Sequence, residues 1–426
     1  MSDNNTITLG GKSRRDFITN CAAIASVPLL AGLPINAFAA GANDRLKVGL
    51  IGAGGRGNGA VTDILNADKN VELWAIGDVF ADQAKSSQRR FAKNQRAKVP
   101  DERVFSGFDN YKEVLNSGID IAILTTPPGF RPLHLEAAIE KGVHVFAEKP
   151  VAVDPVGARR VIAAGELAAK KGLSIVAGTQ RRHDFAYIET LKRVRDGAIG
   201  EIVGGQVYWV QGGLWHKGRN PKWTDIEYQI RNWLYFTWVS GDHIVEQHVH
   251  NIDVANWAFG GPPVKAFGMG GRQSRTDKKY GDAWDHFAIE YEYANGARVQ
   301  SFCRQVVGAS HRVGERIVGT KGVATSGRIV GEGKNWHYSG RSSNAYVQEH
   351  VNLVKAIRTG KPINEARNVA ESTLTGILGR ISAYTGKEVS YKWALEASKL
   401  DLAPAKYELG PGPKVEVPIP GSKNLV

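Results

Sequence analysis

"LKVGLIGAGGRGNGAVTDIL", residues 46–65, decides how this chain folds. An apolar, β-rich run from Leu46 leads straight into Gly52-Ala53-Gly54-Gly55-Arg56-Gly57, and a helix-like pattern follows. This is G-x-G-x-x-G in the context the motif requires, strand before and helix after. The first glycine permits a tight turn, the second lets backbone approach a pyrophosphate, and the third packs helix on strand. The helix N-terminus adds positive potential. A second strand, "NVELWAIGDVF", ends in Asp78, twenty-one residues beyond Gly57. A carboxylate there accepts hydrogen bonds from the adenosine ribose hydroxyls and repels a 2′-phosphate, which favours NAD over NADP.

The alternation continues outward. "DIAILTTPP" reads as a buried strand, "FRPLHLEAAIEKG" as a helix, "VHVFAEKP" as a strand, "DPVGARRVIAAGELAAKKG" as a helix and "LSIVAG" as a strand. Strands and helices joined by short links predict a parallel, doubly wound sheet. Ligands on such sheets sit at the carboxyl ends of the strands. That gathers Thr125, Thr126, Pro127, Glu148 and Lys149 around the crevice of the glycine loop and Asp78. His134 and Gln180 complete the expected cofactor set. The dinucleotide domain is placed at residues 44–178.

The whole chain has 426 residues, 42% of them hydrophobic, enough for two domains. Its first forty residues read differently. Arg14 and Arg15 stand directly before a short apolar run that carries Pro28 and Pro34 and ends in Ala37-Phe38-Ala39. This describes a cleavable export signal over residues 1–39, of the twin-arginine class, and not a membrane span. Cleavage would leave Cys303 alone, with no intramolecular disulfide to form. The signal holds three cations against two carboxylates, so the formal charge of +13 becomes +12. The lysines and arginines are scattered, and an exported protein rarely meets nucleic acid, so nucleic acid is not an expected partner. An anionic substrate or cell-wall polyanion would suit this basic chain, and a basic solvated surface is the plainer reading.

With "AEKPVAVDP", residues 147–155, the chain resembles the Gfo/Idh/MocA family, named for glucose–fructose oxidoreductase and inositol dehydrogenase. "QRRHDFAYIETLKRVRDGAIGEI" is similar to that family's crossover helix and entry strand. "EQHVHNIDVANWAFG" is similar to its D-x-x-x-H-x-x-D element, and the run from Glu349 to Tyr391 to its returning helices. The resemblance implies an α/β protein: a Rossmann domain, then a C-terminal α+β domain over residues 179–401 with an open, mainly antiparallel sheet covering the nicotinamide. Strand alternation in "VGGQVYWVQ", "DHFAIEYEYANGARVQSFCRQVV" and "RIVGTKGVATSG" agrees. Residues 402–426, rich in proline, lysine and glycine, read as an extended tail able to wrap a neighbouring subunit of a homo-oligomer.

The resemblance also implies that Lys149, Glu246 and His250 surround the transferred hydride, with glutamate where the family has aspartate. The chemistry suits the residue types. Hydride leaves a sugar carbon only as its hydroxyl proton is withdrawn, so a base of tunable pKa must sit beside that oxygen. The i, i+4 spacing predicts Glu246 and His250 on one helix face, the carboxylate orienting the imidazole or gripping a hydroxyl. A metal held by His243, Glu246 and His250 is the rival, and a polar helix face satisfied internally is the plainest reading. A proton relay is preferred, and no metal is expected.

Contacts to a small carbohydrate substrate are sought among Arg182, Trp215, His216, Arg231, Trp233 and Asp253. Five tryptophans, Trp209, Trp215, Trp223, Trp233 and Trp238, are interleaved with Lys217, Arg219, Lys222 and Arg231. Aromatic faces stack on sugar rings and arginines clamp anions. Most of the tryptophans individually read as packing. Three functions stay open: a sugar oxidoreductase with a tightly held cofactor, an NAD-dependent glycoside hydrolase working by transient oxidation, and a sugar-binding protein without turnover.

Overall fold

The computed structural model describes residues 44–333 and 335–422. The expected export signal therefore lies outside the described residues. The first sheet is parallel throughout, its six strands being β1 (Leu46–Ile51), β2 (Val71–Asp78), β3 (Val104–Ser106), β4 (Ile121–Leu124), β5 (His144–Ala147) and β6 (Ile175–Ala177). They lie in the order β3-β2-β1-β4-β5-β6. The order reverses between β1 and its two neighbours, which opens a crevice at the carboxyl ends of β1 and β4. Between the strands run α1 (Gly55–Ala67), α2 (Ala81–Phe91), α3 (Asn110–Asn116), α4 (Arg131–Lys141) and α5 (Pro155–Lys170). The central strands β1 and β4 are buried on both faces, so they read as apolar runs without alternation.

After α6 (Phe185–Arg195) comes β7 (Ile202–Gln211), the centre of a nine-stranded second sheet. Four short helices precede β8: α7 (Asp225–Arg231), α8 (Thr237–Ser240), α9 (His243–Glu246) and α10 (Val249–Phe259). The strands are β8 (Lys265–Gly271), β9 (His286–Glu292), β10 (Arg298–Gln305), β11 (Arg312–Gly319), β12 (Gly322–Thr325), β13 (Arg328–Gly331) and β14 (Trp336–His337). Only β7 and β10 pair in parallel; every other neighbour is antiparallel, with β15 (Val389–Ser390) closing the far edge. One face of this sheet packs on α10 and on the long helix α12 (Ala366–Thr385) around Trp284, Ile289, Tyr291, Val299 and Leu378. The other face lies open.

The chain then returns to its beginning. Leu353, Val354 and Ile357 of α11 (Ala345–Thr359) join the core of the first sheet, as do Ala366, Val369 and Ala370 of α12. After α13 (Tyr391–Glu396) the tail has no regular structure and runs over its own chain. Leu402 N donates to Asp154, Ile226 N donates to the Gly410 carbonyl, and Trp284 Nε1 donates to the Pro418 carbonyl.

Candidate active site

The glycine loop shows two different uses of glycine. Gly52 has φ +101°, and a Cβ there would stand 2.5 Å from Thr126 N. A Cβ on Gly57 would stand 2.1 Å from the Gly52 carbonyl, so this glycine lets α1 reach β1. On Gly54 or Gly55 a Cβ would meet nothing within 4 Å. Those two glycines keep space open for something other than protein. No side chain caps α1, leaving its first amide groups directed at that space. The loop thus fits a pyrophosphate.

Asp78 closes the β2 end of the cleft. Its carboxylate accepts from Ala53 N at 2.7 Å and Phe80 N at 2.9 Å. Burial raises its pKa to about 6 despite those two bonds. It is an anion at neutral pH, placed for ribose hydroxyls. The whole cleft has a volume of about 640 Å³ and is lined by Gly52, Gly54, Gly55, Arg56, Gly57, Asp78, Thr125, Thr126, Pro127, His134, Glu148, Lys149 and Gln180, the entire expected cofactor set. Some of these residues support others. Arg56 binds Glu148 at 2.5 Å, Asp63 at 2.9 Å and Glu349 at 3.1 Å. Burial would lower its pKa, but the three carboxylates outweigh burial and raise it. His134 is held neutral, its pKa lowered to about 3 by burial and by Arg131, and it meets Thr126 Oγ1 at 3.1 Å.

At the other end of the cleft Lys149, Glu246 and His250 come together. Lys149 Nζ donates to the backbone carbonyl of Glu246 at 2.8 Å. Burial lowers the lysine's pKa, Glu148 and Glu246 partly restore it, and Arg56 and Arg131 lower it further. His250 is 6% exposed, and burial, then the charge of Lys149, hold it well below the usual histidine value. Both groups are therefore biased towards their neutral, proton-accepting forms. Trp209 stacks on His250 with ring centres 5.5 Å apart.

Several expectations need correction. Glu246 and His250 do not share a helix. α9 ends at Glu246 and α10 begins at Val249, because Gln247 leaves helical geometry and both Gln247 N and His248 N point at the His243 carbonyl. The Glu246 carboxylate consequently does not orient His250; it faces Gln305 Nε2 at 3.4 Å and His243 Nδ1 at 3.8 Å. His243 opens α9, and its Nδ1 meets Gln305 at 2.7 Å. Among the described residues no set of three His, Cys, Asp or Glu is placed to hold a metal ion.

The substrate candidates divide. Trp215, Arg231 and Trp233 line the cleft. Arg182 and Asp253 do not: they form a bidentate pair at 2.8 Å, and Ser372 adds a 2.7 Å bond to Asp253. His216 is turned to the Tyr228 hydroxyl at 3.0 Å, away from the cleft. Arg231 sits beside the Asp78 end, bonded to Asp82 at 2.9 and 3.1 Å with its guanidinium 3.8 Å from the Phe80 ring. Sequence reasoning missed Arg131, Gln211, Gln247 and Tyr346, which also line the cleft. Arg131 alone left a signal, as a cation inside the apolar run at the start of α4.

Residues 46–178 match the model of an oxidoreductase family with an NAD-binding Rossmann fold, and residues 187–325 match the C-terminal domain model of the same family. Fold and cleft together define an NAD-binding, two-sheet protein of oxidoreductase type. The chain belongs to the Gfo/Idh/MocA family. It is 25% identical over 332 residues to inositol 2-dehydrogenase of Acidothermus cellulolyticus, which covers 75% of this chain and 87% of that one. It is 27% identical over 213 residues to inositol 2-dehydrogenase of Salmonella paratyphi B, covering 50% of this chain and 54% of the relative, so it spans about half of that protein. Two solved structures show the same fold. Aldose-aldose oxidoreductase from Caulobacter crescentus gives a TM-score of 0.64 at 19% identity, covering 81% of this chain and 99% of that one. Apo scyllo-inositol dehydrogenase from Lactobacillus casei gives 0.62 at 19% identity, covering 82% and 99%.

Proposed function

We propose that this protein is an exported oxidoreductase that transfers hydride between a hydroxyl-bearing carbon of a sugar or cyclitol and a retained NAD. The observation that carries the reading is the meeting of Lys149 and His250, both biased neutral by burial, at the cleft end opposite Asp78. Bound NAD supplies the hydride acceptor. Lys149 and His250 take and hold the substrate's hydroxyl proton, one from each sheet's side of the cleft. Glu246 anchors Lys149 through its carbonyl, and Trp215 and Trp233 offer faces on which a ring can stack.

Retention has support in the lid over the Asp78 end. α7 lies across that end, latched by Arg231 to Asp82, with Ile230 and Leu234 packed against Phe80 and Phe130. The tail secures it from above through Gln229 and Pro413. A protein exported with its cofactor needs such closure, since the nucleotide lost outside the cytoplasm is not replaced. Twin-arginine export would follow from Arg14 and Arg15; replacing both by lysine should trap the precursor inside the cell, and unchanged export would refute that route. On the open face of the second sheet, Phe302 and Met269 stand 37% and 62% exposed in one cross-strand row with Tyr208, which supports a homo-oligomer. Sedimentation tests this.

The deciding experiment is product analysis with a panel of inositols, aldoses and their glycosides. A keto product, formed with reduction of bound NAD, is expected. Free aglycone with no net redox change would favour the hydrolase instead.

A further inference from the structure

Among the described residues, Asp242 is the one non-glycine with positive φ. Its angles, φ 70° and ψ 166°, fall in a region that is nearly reserved for glycine. It is fully buried. A glycine would adopt this conformation without strain, so the carboxylate must return something for the strain it imposes. What it returns is visible. Oδ1 accepts from His243 N at 2.5 Å, and Oδ2 accepts from Trp284 N at 2.9 Å and from the Tyr384 hydroxyl at 2.5 Å. Its own N–H donates to Ser240 Oγ at 3.0 Å, and its carbonyl accepts from Val245 N and Glu246 N at 3.0 and 2.9 Å.

These bonds join separate parts of the molecule. Trp284 leads into β9 and lies in the core of the second sheet, and Tyr384 of α12 packs against that core. α9 begins at this anchor and ends, four residues later, at the Glu246 carbonyl that receives Lys149 from the end of β5. The short helix is a strut between the two sheets, pinned to one by Asp242 and to the other by Lys149. We propose that Asp242 is the positioning residue of the Lys149–Glu246 pair, its carboxylate fixing α9 so that Lys149 is held at the hydride end of the cleft. The inference rests on the oxidoreductase reading for its rate predictions and on geometry alone for its structural one.

Asp242→Gly and Asp242→Ala, made in the full chain, separate the carboxylate from the backbone. Both should bind NAD as the parent does. Asp242→Ala should melt at the lower temperature, because it keeps the strain without the bonds. In NAD reduction with the inositol and aldose panel, both should lose kcat tenfold or more with KM little changed. The carbonyl of Glu246 favours the charged lysine, so its loss should also move the rate's pH dependence to lower pH. A crystal structure of Asp242→Gly should show Lys149 Nζ beyond hydrogen-bonding distance of Glu246 O. If Asp242→Gly merely melts earlier and keeps the parent's kcat and pH profile, the residue is structural only and the proposal is overturned. Should the parent itself reduce no NAD with any of the panel, the redox reading fails, and an unchanged Lys149–Glu246 contact in the crystal still overturns the positioning role on its own.

Discussion

At the Asp78 end of the cleft the chain works through its backbone, with glycines making room and amide groups facing the space; at the Lys149 end it works through side chains that distant segments bring together. The first end is built from 33 consecutive residues, 46–78, folded as strand, loop, helix and strand. The second needs Lys149 from just beyond β5, Glu246 from α9 and His250 from α10, with Trp209 of β7 against the imidazole. A backbone site tolerates little change in shape. A side-chain site tolerates little change in chemistry. Substitutions should therefore fail differently at the two ends.

The largest effect is expected at the side-chain end. His250→Ala should slow hydride transfer by about 10²–10⁴, the usual scale for losing a general base, while NAD titration on stripped protein stays normal. His248→Ala should be mild for the chemistry, because its Nε2 meets Ser301 at 2.8 Å on the sheet side. Equal damage from both would mean that the cluster matters only for folding. Lys149→Ala should resemble His250→Ala. In the parent, the oxidation rate should rise with pH as Lys149 loses its proton, and because burial lowers that pKa, the rise should be complete below the ordinary lysine value of 10.5. A rate still climbing above that value would contradict the assignment.

At the backbone end the effects are smaller and appear in binding. Asp78→Ala should weaken NAD by about 10-fold or more, the scale of charged hydrogen bonds, and narrow any preference over NADP. Since the Asp78 pKa is raised to about 6, NAD affinity should fall as pH drops through that value, and this dependence should vanish in the variant. Calorimetry reads both. The smallest expected effect discriminates best. Gly57→Ala forces a Cβ onto the Gly52 carbonyl and should cost about 1–3 kcal/mol of stability. Gly54→Ala has free space, so it should leave the melting temperature alone and weaken only NAD. Matching melts for the two would show that the loop is not shaped as described.

The same contrast explains what the sequence could reveal. The parallel sheet was legible, and the residues expected around the dinucleotide do line the cleft, because strand, glycine loop and carboxylate follow one another along the chain and the later strands end beside them. Lys149 and His250 were legible through the family resemblance. The break between α9 and α10 was not: the i, i+4 spacing of Glu246 and His250 suits a continuous helix, and only the geometry at Gln247 shows otherwise. Arg182 and Asp253 looked like substrate ligands because each is polar in a polar motif, but they neutralise each other across 71 residues, a pairing no local pattern encodes. Tyr346 reaches the cleft from α11, nearly 300 residues beyond the glycine loop. The strain at Asp242 is equally silent, since nothing in the residue's own chemistry or spacing marks its positive φ.

The central claim is that Lys149 and His250 take the substrate's hydroxyl proton while hydride passes from its carbon to an NAD that spans the cleft from Asp78 to this end. Its most direct test is the 340 nm absorbance of NAD-loaded protein mixed with the panel of inositols and aldoses, for the parent and for His250→Ala. The account predicts that at least one of these compounds raises the band in the parent and leaves His250→Ala flat although its NAD content is the same. A band that grows equally in both proteins would contradict it, as would a parent whose loaded NAD no member of the panel reduces.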